Sequence, residues 1–317
     1  MKKTLVLVLL TLIMAVTILL SGCGSSSIPA VTTPTSTAAA STVSGDSLKP
    51  VSTNVTSSPK TFTPQEIALN SVTAVSNIKT LKYDMEYSMT FDLGSAEQPQ
   101  IMNMQQIATG AVNIPEKELS ITMDMVIDNP DQGNQDMSVN IYFTDGWMYM
   151  NANIPGGSGM WTRMKLMDEM WAQHSQISSM TGFLESPVNM ELAGSETING
   201  VDCYTLSINP EAESITNWMN GLQGGQNGVN FEDMGISQMF ENFIIKQWIS
   251  KNNYLPVKQQ ITMKIDMTDE ESDSTSGMFE QMSMEMDATL VFYDYNKPVD
   301  IKLPPEALNA MEIKMDQ

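Results

Sequence analysis

The chain has 317 residues, 42% of them hydrophobic, and a formal net charge of −21 at pH 7. The apolar content is ample for a folded core, while so acidic a chain is repelled by nucleic acid and by anionic headgroups, and nucleic acid is excluded as a partner. Two cysteines and a single histidine leave no room for a disulfide-rich scaffold or a His-rich metal set.

Met1-Lys2-Lys3 is a short positive start, and Thr4 to Leu20 is almost unbroken Leu, Val, Ile, Ala and Met. Leu20-Ser21-Gly22-Cys23 follows, with small residues ahead of a thiol. The order describes a secretory signal peptide over residues 1–22, and its ending resembles the bacterial lipobox, in which the cysteine receives a diacylglyceryl group. Cys23 is therefore the expected lipidation site and the mature N-terminus. The alternative is an uncleaved membrane helix with an incidental cysteine, but the apolar run is short for a span. Each buried methylene contributes about 0.8 kcal/mol, so two or three acyl chains anchor firmly where one is marginal. The expected location is extracytoplasmic, on the cell membrane or on an outer membrane if the host has one.

From Gly24 to Lys60 the chain is nearly all Ser, Thr, Ala, Pro, Val and Gly, without an aromatic residue. Residues 23–60 thus read as a lipidated cysteine plus a disordered tether, long enough to hold a domain on the order of 30 Å from the bilayer. The folded domain is expected over residues 61–317.

Thr63-Pro64-Gln65-Glu66 reads as a helix cap with proline at the first position, and Ile67, Val72, Val75 and Ile78 continue a helical stripe to residue 78. From Leu81 the period changes to two. Met85, Tyr87, Met89 and Phe91 alternate with polar residues, as do Leu119 to Ile127 and Met137 to Phe143. Asp145-Gly146 turns the chain into Trp147–Asn151, Asn199-Gly200 turns it into Tyr204–Ile208, and Lys251-Asn252-Asn253 joins Phe243–Ser250 to Val257–Met267. A last strand carries Met282, Met284, Met286, Ala288, Leu290 and Phe292. Further helices are expected near Leu166–Leu184 and in pieces between Glu211 and Asn242. Short connections imply antiparallel neighbours, and clean alternation implies one wet and one dry face. The fold class is α+β: a large curled antiparallel sheet of about ten strands, an incomplete β-barrel, wrapped over a few helices.

About ten strands at roughly 4.8 Å make a sheet near 48 Å wide, which three helices about 10 Å across barely cover. Methionine, 28 in all, dominates the dry face. Three readings stay open. Methionine fills an ordinary packed core, leaving an interaction or structural module. Alternatively, the face encloses a cavity for acyl chains, since methionine adapts to irregular apolar objects. Or the thioethers of Met102-x-Met104, Met123-x-Met125 and Met282-x-Met284-x-Met286 hold Cu(I). The residues expected to line a cavity are Met85, Tyr87, Met89, Ile121, Met123, Met125, Val139, Ile141, Met263, Ile265, Met284 and Met286.

Several stretches carry a resemblance: Ala68–Phe91; Ile141-Tyr142-Phe143-Thr144-Asp145-Gly146-Trp147-Met148-Tyr149 before Met160-Trp161-Thr162-Arg163; and Glu196-Thr197-Ile198-Asn199-Gly200-Val201-Asp202-Cys203-Tyr204. Trp248-Ile249-Ser250 with Leu255-Pro256-Val257-Lys258, and Tyr293-Asp294-Tyr295-Asn296-Lys297-Pro298-Val299 with Leu303-Pro304, complete the set. Over roughly residues 64–308 the chain resembles the LolA/LolB-like superfamily, and more closely the LppX/LprG-type lipoproteins. The resemblance implies a half-barrel with a hydrophobic cavity for lipid or lipoprotein acyl chains, without enzymatic activity or cofactor. The partners expected are a membrane, through the anchor, and lipid; the chain is expected to be a monomer.

No residue set supports catalysis. His174 stands alone in a helical context, and Cys203 on a strand reads as a small buried hydrophobe without a base beside it. There is no nucleophile elbow and no phosphate loop. Asp269-Glu270-Glu271-Ser272-Asp273 reads as a solvated loop rather than a calcium site. Of the five tryptophans, Trp171 and Trp218 are the two expected near a cavity mouth.

Overall fold

The structure, a computed structural model, describes residues 62–92, 100–130, 133–157, 159–168, 171, 182–185, 189–211, 215, 240–268 and 281–313. The signal peptide and tether, His174, Trp218 and the acidic run at 269–273 lie outside these residues, as do most of the two later helical expectations.

Helix α1 spans Pro64–Val75. Thr63 caps it reciprocally: its hydroxyl accepts the Glu66 N–H at 3.2 Å, and the Glu66 carboxylate accepts the Thr63 N–H at 2.9 Å. The stripe of period 3.6 is buried at Ile67, Ala68, Ser71 and Val75, and Val72 is half-buried beside it. The helix ends at Val75 rather than at the expected residue 78. Beyond it, the Ser76 hydroxyl and the Asn77 amide both donate to the Thr73 carbonyl at 2.8 Å, local bonds that compete with a further helical turn. Ile78 is still buried, in the link to the first strand.

Among the described residues twelve strands follow, against about ten expected. They are β1 (Thr80–Asp92), β2 (Ile101–Asn113), β3 (Glu118–Asn129), β4 (Gly133–Thr144), β5 (Trp147–Asn153), β6 (Trp161–Lys165) and β7 (Asn189–Ile198). After them come β8 (Val201–Asn209), β9 (Phe240–Ser250), β10 (Pro256–Thr268), β11 (Gln281–Tyr293) and β12 (Met311–Glu312). A one-turn helix α2 (Gly182–Glu185) precedes β7, and α1 packs against both α2 and β7. Phe240–Asn242, expected as the end of a helical piece, opens β9 instead.

All twelve strands form one sheet in the order β12-β6-β5-β4-β3-β2-β1-β11-β10-β9-β8-β7. The order runs from one edge to another without closing, which is the unclosed antiparallel sheet the alternation implies. A single pair departs from it: β12 lies parallel to β6, held by Arg163 to Glu312 at 3.2 Å. Both edges are blunted against further pairing, β12 by its length and β7 by Glu191, Glu196 and a bulge between Leu192 and Gly194. From β5 through β1 to β10 the ladder runs without a register shift, whereas β9–β10 and β7–β8 carry three.

The turns fall where the dipeptides put them. Asp145 and Gly146 (φ 52° and 75°) join β4 to β5, and Asn199 and Gly200 (φ 48° and 80°) join β7 to β8, both pairs in the left-handed region a primed turn requires. The closing segment Tyr293–Pro298 is a clamp. Asn296 accepts the Lys79 N–H through its side chain and donates its own N–H to the Thr80 carbonyl, each at 2.8 Å. The Tyr295 hydroxyl donates to the Pro256 carbonyl at 2.7 Å. Asp294 takes Lys82 at 3.2 Å and Lys297 at 2.8 Å. One short segment thereby ties the starts of β1 and β10 to the end of β11.

Candidate functional site

Alternation at period two sends every second side chain of β1–β5 and β8–β11 to one face, and the register aligns them in lateral rows. One row runs Phe243, Met263, Met286, Met89, Met104, Ile127 across six strands, with four methionines side by side. The next runs Ile245, Ile261, Ala288, Tyr87, Gln106, Met125, Met137, and a third Gln247, Gln259, Leu290, Met85, Ala108, Met123, Val139. Phe292, Tyr83, Gly110, Ile121 and Ile141 form a fourth. Ile265, Met284, Phe91 and Met102 close the opposite margin.

All twelve expected lining residues therefore share one face. Eleven are buried, Met286 at 1% and Met123 at 2% exposure, and Met284 at the margin is half-buried. The face is closed to solvent rather than left open. No position in these rows carries a charged side chain, although the chain has 16 basic and 37 acidic residues. Charges occupy the other face: a hollow of about 540 Å³ there is lined by Asp84, Glu86 and Lys258 beside the β7–β8 turn.

Polar side chains interrupt the methionine face in two places: Gln247 opposite Gln259 on β9 and β10, and a pair on β1 and β2. Tyr87 and Gln106 stand directly opposite each other on β1 and β2. The Tyr87 hydroxyl donates to the Met89 sulfur at 3.4 Å, and the Gln106 amide donates to the Met123 sulfur at 3.5 Å. Thioether sulfur is a weak acceptor, and the Gln106 carbonyl oxygen has no partner among the described residues. Gln106, Met104, Met137 and Tyr83 belong to the face but were not among the expected residues. Met104 was legible in the Met102-x-Met104 pair; a buried glutamine leaves no signal in an apolar pattern.

The remaining candidates do not join this face. Cys203 is fully buried with Trp248 and Val257 in a separate cluster, and burial pushes its thiol above the usual range. Its thiol donates to the Val201 carbonyl at 3.3 Å, the setting of an inert cysteine. Trp171 is buried against Phe143, ring centroids 6.2 Å apart, so it packs the interior rather than a rim. Among the described residues, no group of three or more His, Cys, Asp or Glu is placed to hold a metal ion. No described helix is long and apolar enough to cross a membrane.

A profile for a family of unknown function, DUF6612, matches residues 63–312, from the cap of α1 to the end of β12. The chain belongs to DUF6612. No curated protein matches this DUF6612 member. Among solved structures it is similar to the lipoprotein LppX of Mycobacterium tuberculosis, at 11% identity and a TM-score of 0.37, with 75% of this chain and 98% of that one covered. It is also similar to LprF of Mycobacterium bovis, at 13% identity and a TM-score of 0.40 over 76% and 96% of the two chains. A LolA superfamily protein from Nitrosomonas europaea aligns at 11% identity and a TM-score of 0.19, over 77% and 96%. These are the groups that the sequence resembles.

Burial of tyrosine hydroxyls in the DUF6612 sheet has a measurable consequence. Burial raises the Tyr87 and Tyr295 pKa values above the ordinary 10.0. The folded state holds these protons after the unfolded chain has released them. Their contribution to stability is thus complete below pH 10.0 and is lost as pH rises from there through the folded values. Tyr87→Phe should move the alkaline unfolding midpoint upward, and the tyrosinate absorbance that wild type has in excess of Tyr87→Phe should appear only as wild type unfolds. That excess appearing while both proteins stay folded would show the Tyr87 hydroxyl to be open to solvent.

Proposed function

We propose that this protein is an extracytoplasmic lipoprotein, anchored through Cys23 after loss of residues 1–22 and held off the membrane by the segment up to residue 60. Its domain binds acyl chains against the methionine face. The role is binding or transfer, not catalysis. The observation that carries this reading is the continuous uncharged face with four adjacent methionines, Met263, Met286, Met89 and Met104, in one lateral row. A packed core gains definition from branched side chains with few rotamers, whereas methionine has three flexible bonds and refills irregular space. Because the face is closed to solvent, a chain that enters must displace what covers it.

Native mass spectrometry of the segment 61–317, purified without detergent, tests the reading. Reproducible lipid masses on the protein, or uptake of added lipid, are expected. A clean protein mass with no uptake would leave the packed interaction module instead. The row of four thioethers also favours a second reading, Cu(I) binding. It requires tight uptake of Cu(I) that methionine oxidation abolishes.

A further inference from the structure

Within the proposed acyl site, the Tyr87–Gln106 pair has hydrogen-bonding capacity that the protein does not use. Gln106 is 2% exposed, and its carbonyl oxygen is without a partner among the described residues. Its amide and the Tyr87 hydroxyl spend their donors on thioether sulfurs. A buried polar group left unsatisfied is costly, and a Leu or Met at residue 106 would avoid the cost. The rows around the pair hold Met89, Met104, Met125 and Ala288 and offer no cation.

We propose that this pair is the polar anchor of the site and selects an uncharged acyl lipid bearing a free hydroxyl group. A hydroxyl is donor and acceptor at once: it donates to the Gln106 carbonyl and accepts from the Tyr87 hydroxyl. An ionised carboxylate brings only acceptors, leaves the Gln106 oxygen orphaned, and buries a charge with no counter-ion in these rows. A plain hydrocarbon satisfies neither group. The inference rests on the acyl-binding reading, and names which lipids that site retains.

The test uses full-length protein in amphipol and three probes of one chain length: oleyl alcohol, oleate at mildly alkaline pH, and octadecene. Each is titrated against wild type, Gln106→Leu, Gln106→Met and Tyr87→Phe, with bound probe measured after gel filtration. The expected result is that either Gln106 variant weakens oleyl alcohol binding about tenfold, with octadecene unchanged. Tyr87→Phe weakens the alcohol less, and oleate binds worst to wild type. The two Gln106 variants differ in shape, so a folding defect in one leaves the other to decide. Equal effects on alcohol and alkene would overturn the proposal and make Gln106 a packing residue. Failure of all three probes to bind wild type would instead overturn the acyl-binding reading beneath it.

Discussion

Replacing Met123 by glutamate is expected to unfold the protein. Met123 sits between Ala108 and Val139 at 2% exposure, with the Gln106 amide on its sulfur. A carboxylate there has no cation in its row or in the adjacent ones, so it must either ionise in an apolar interior or stay protonated. The cost is more than about 4 kcal/mol, close to the whole stability of a small domain. Met284→Glu is the matched control. Met284 is half-buried at the margin, opposite Ile265 and Phe91, and its carboxylate can reach water, for a cost of about 1 kcal/mol. The folded Met284→Glu protein should take up less lipid, because its charge borders the proposed acyl site. Urea titration separates the pair; Met123→Glu unfolding at the wild-type midpoint would mean that the methionine rows are not enclosed.

The second large effect is expected from the smallest change, Gly110→Ala. A methyl group on Gly110 would collide with the ring and hydroxyl of Tyr83, its direct partner across β1 and β2. The tyrosine lies over the glycine and occupies the space a side chain would take. Either Tyr83 leaves its position over Gly110 or the two strands part, for about 2–3 kcal/mol. Removing the tyrosine as well should recover part of the loss: the pair Gly110→Ala and Tyr83→Ala should couple by about 1–3 kcal/mol in thermal melts. Costs that simply add would show that the two residues do not share that space.

The same β1–β2 pairing explains where the sequence was readable. β1, β3, β4 and β11 show their buried face directly, because apolar residues take most of it and polar residues most of the other, and β10 does so apart from Gln259. β2 was harder to read. Its buried face holds Gln106, Ala108 and Gly110, while Ile107, 62% exposed, points to solvent. Part of this follows from its partner: Tyr83 on β1 is large, and the position facing it is a glycine. An apolar pattern records a strand's own hydrophobicity and not the volume taken by its neighbour. β7 was unreadable for a different reason, since an edge strand exposed along nearly its whole length has no dry face to betray it. In the candidate site, the methionines were legible as a stripe, and Met263 and Met89 could be assigned to one face. Which methionines are lateral neighbours depends on register, and the unpartnered oxygen of Gln106 depends on packing; neither is written in a single strand.

The distribution of the bulges has a mechanical meaning. From β5 to β10 the sheet is a stiff plate, because flexing it would strain many hydrogen bonds in register at once. Between β10 and β7 the irregularities at Pro256/Lys258, Lys264/Ile265 and Leu192/Gly194 have already interrupted the ladder, and a bulged strand bends more easily than a regular one. Amide hydrogen exchange should accordingly be faster along β7–β9 than along β1–β4, where the ladder has no interruption.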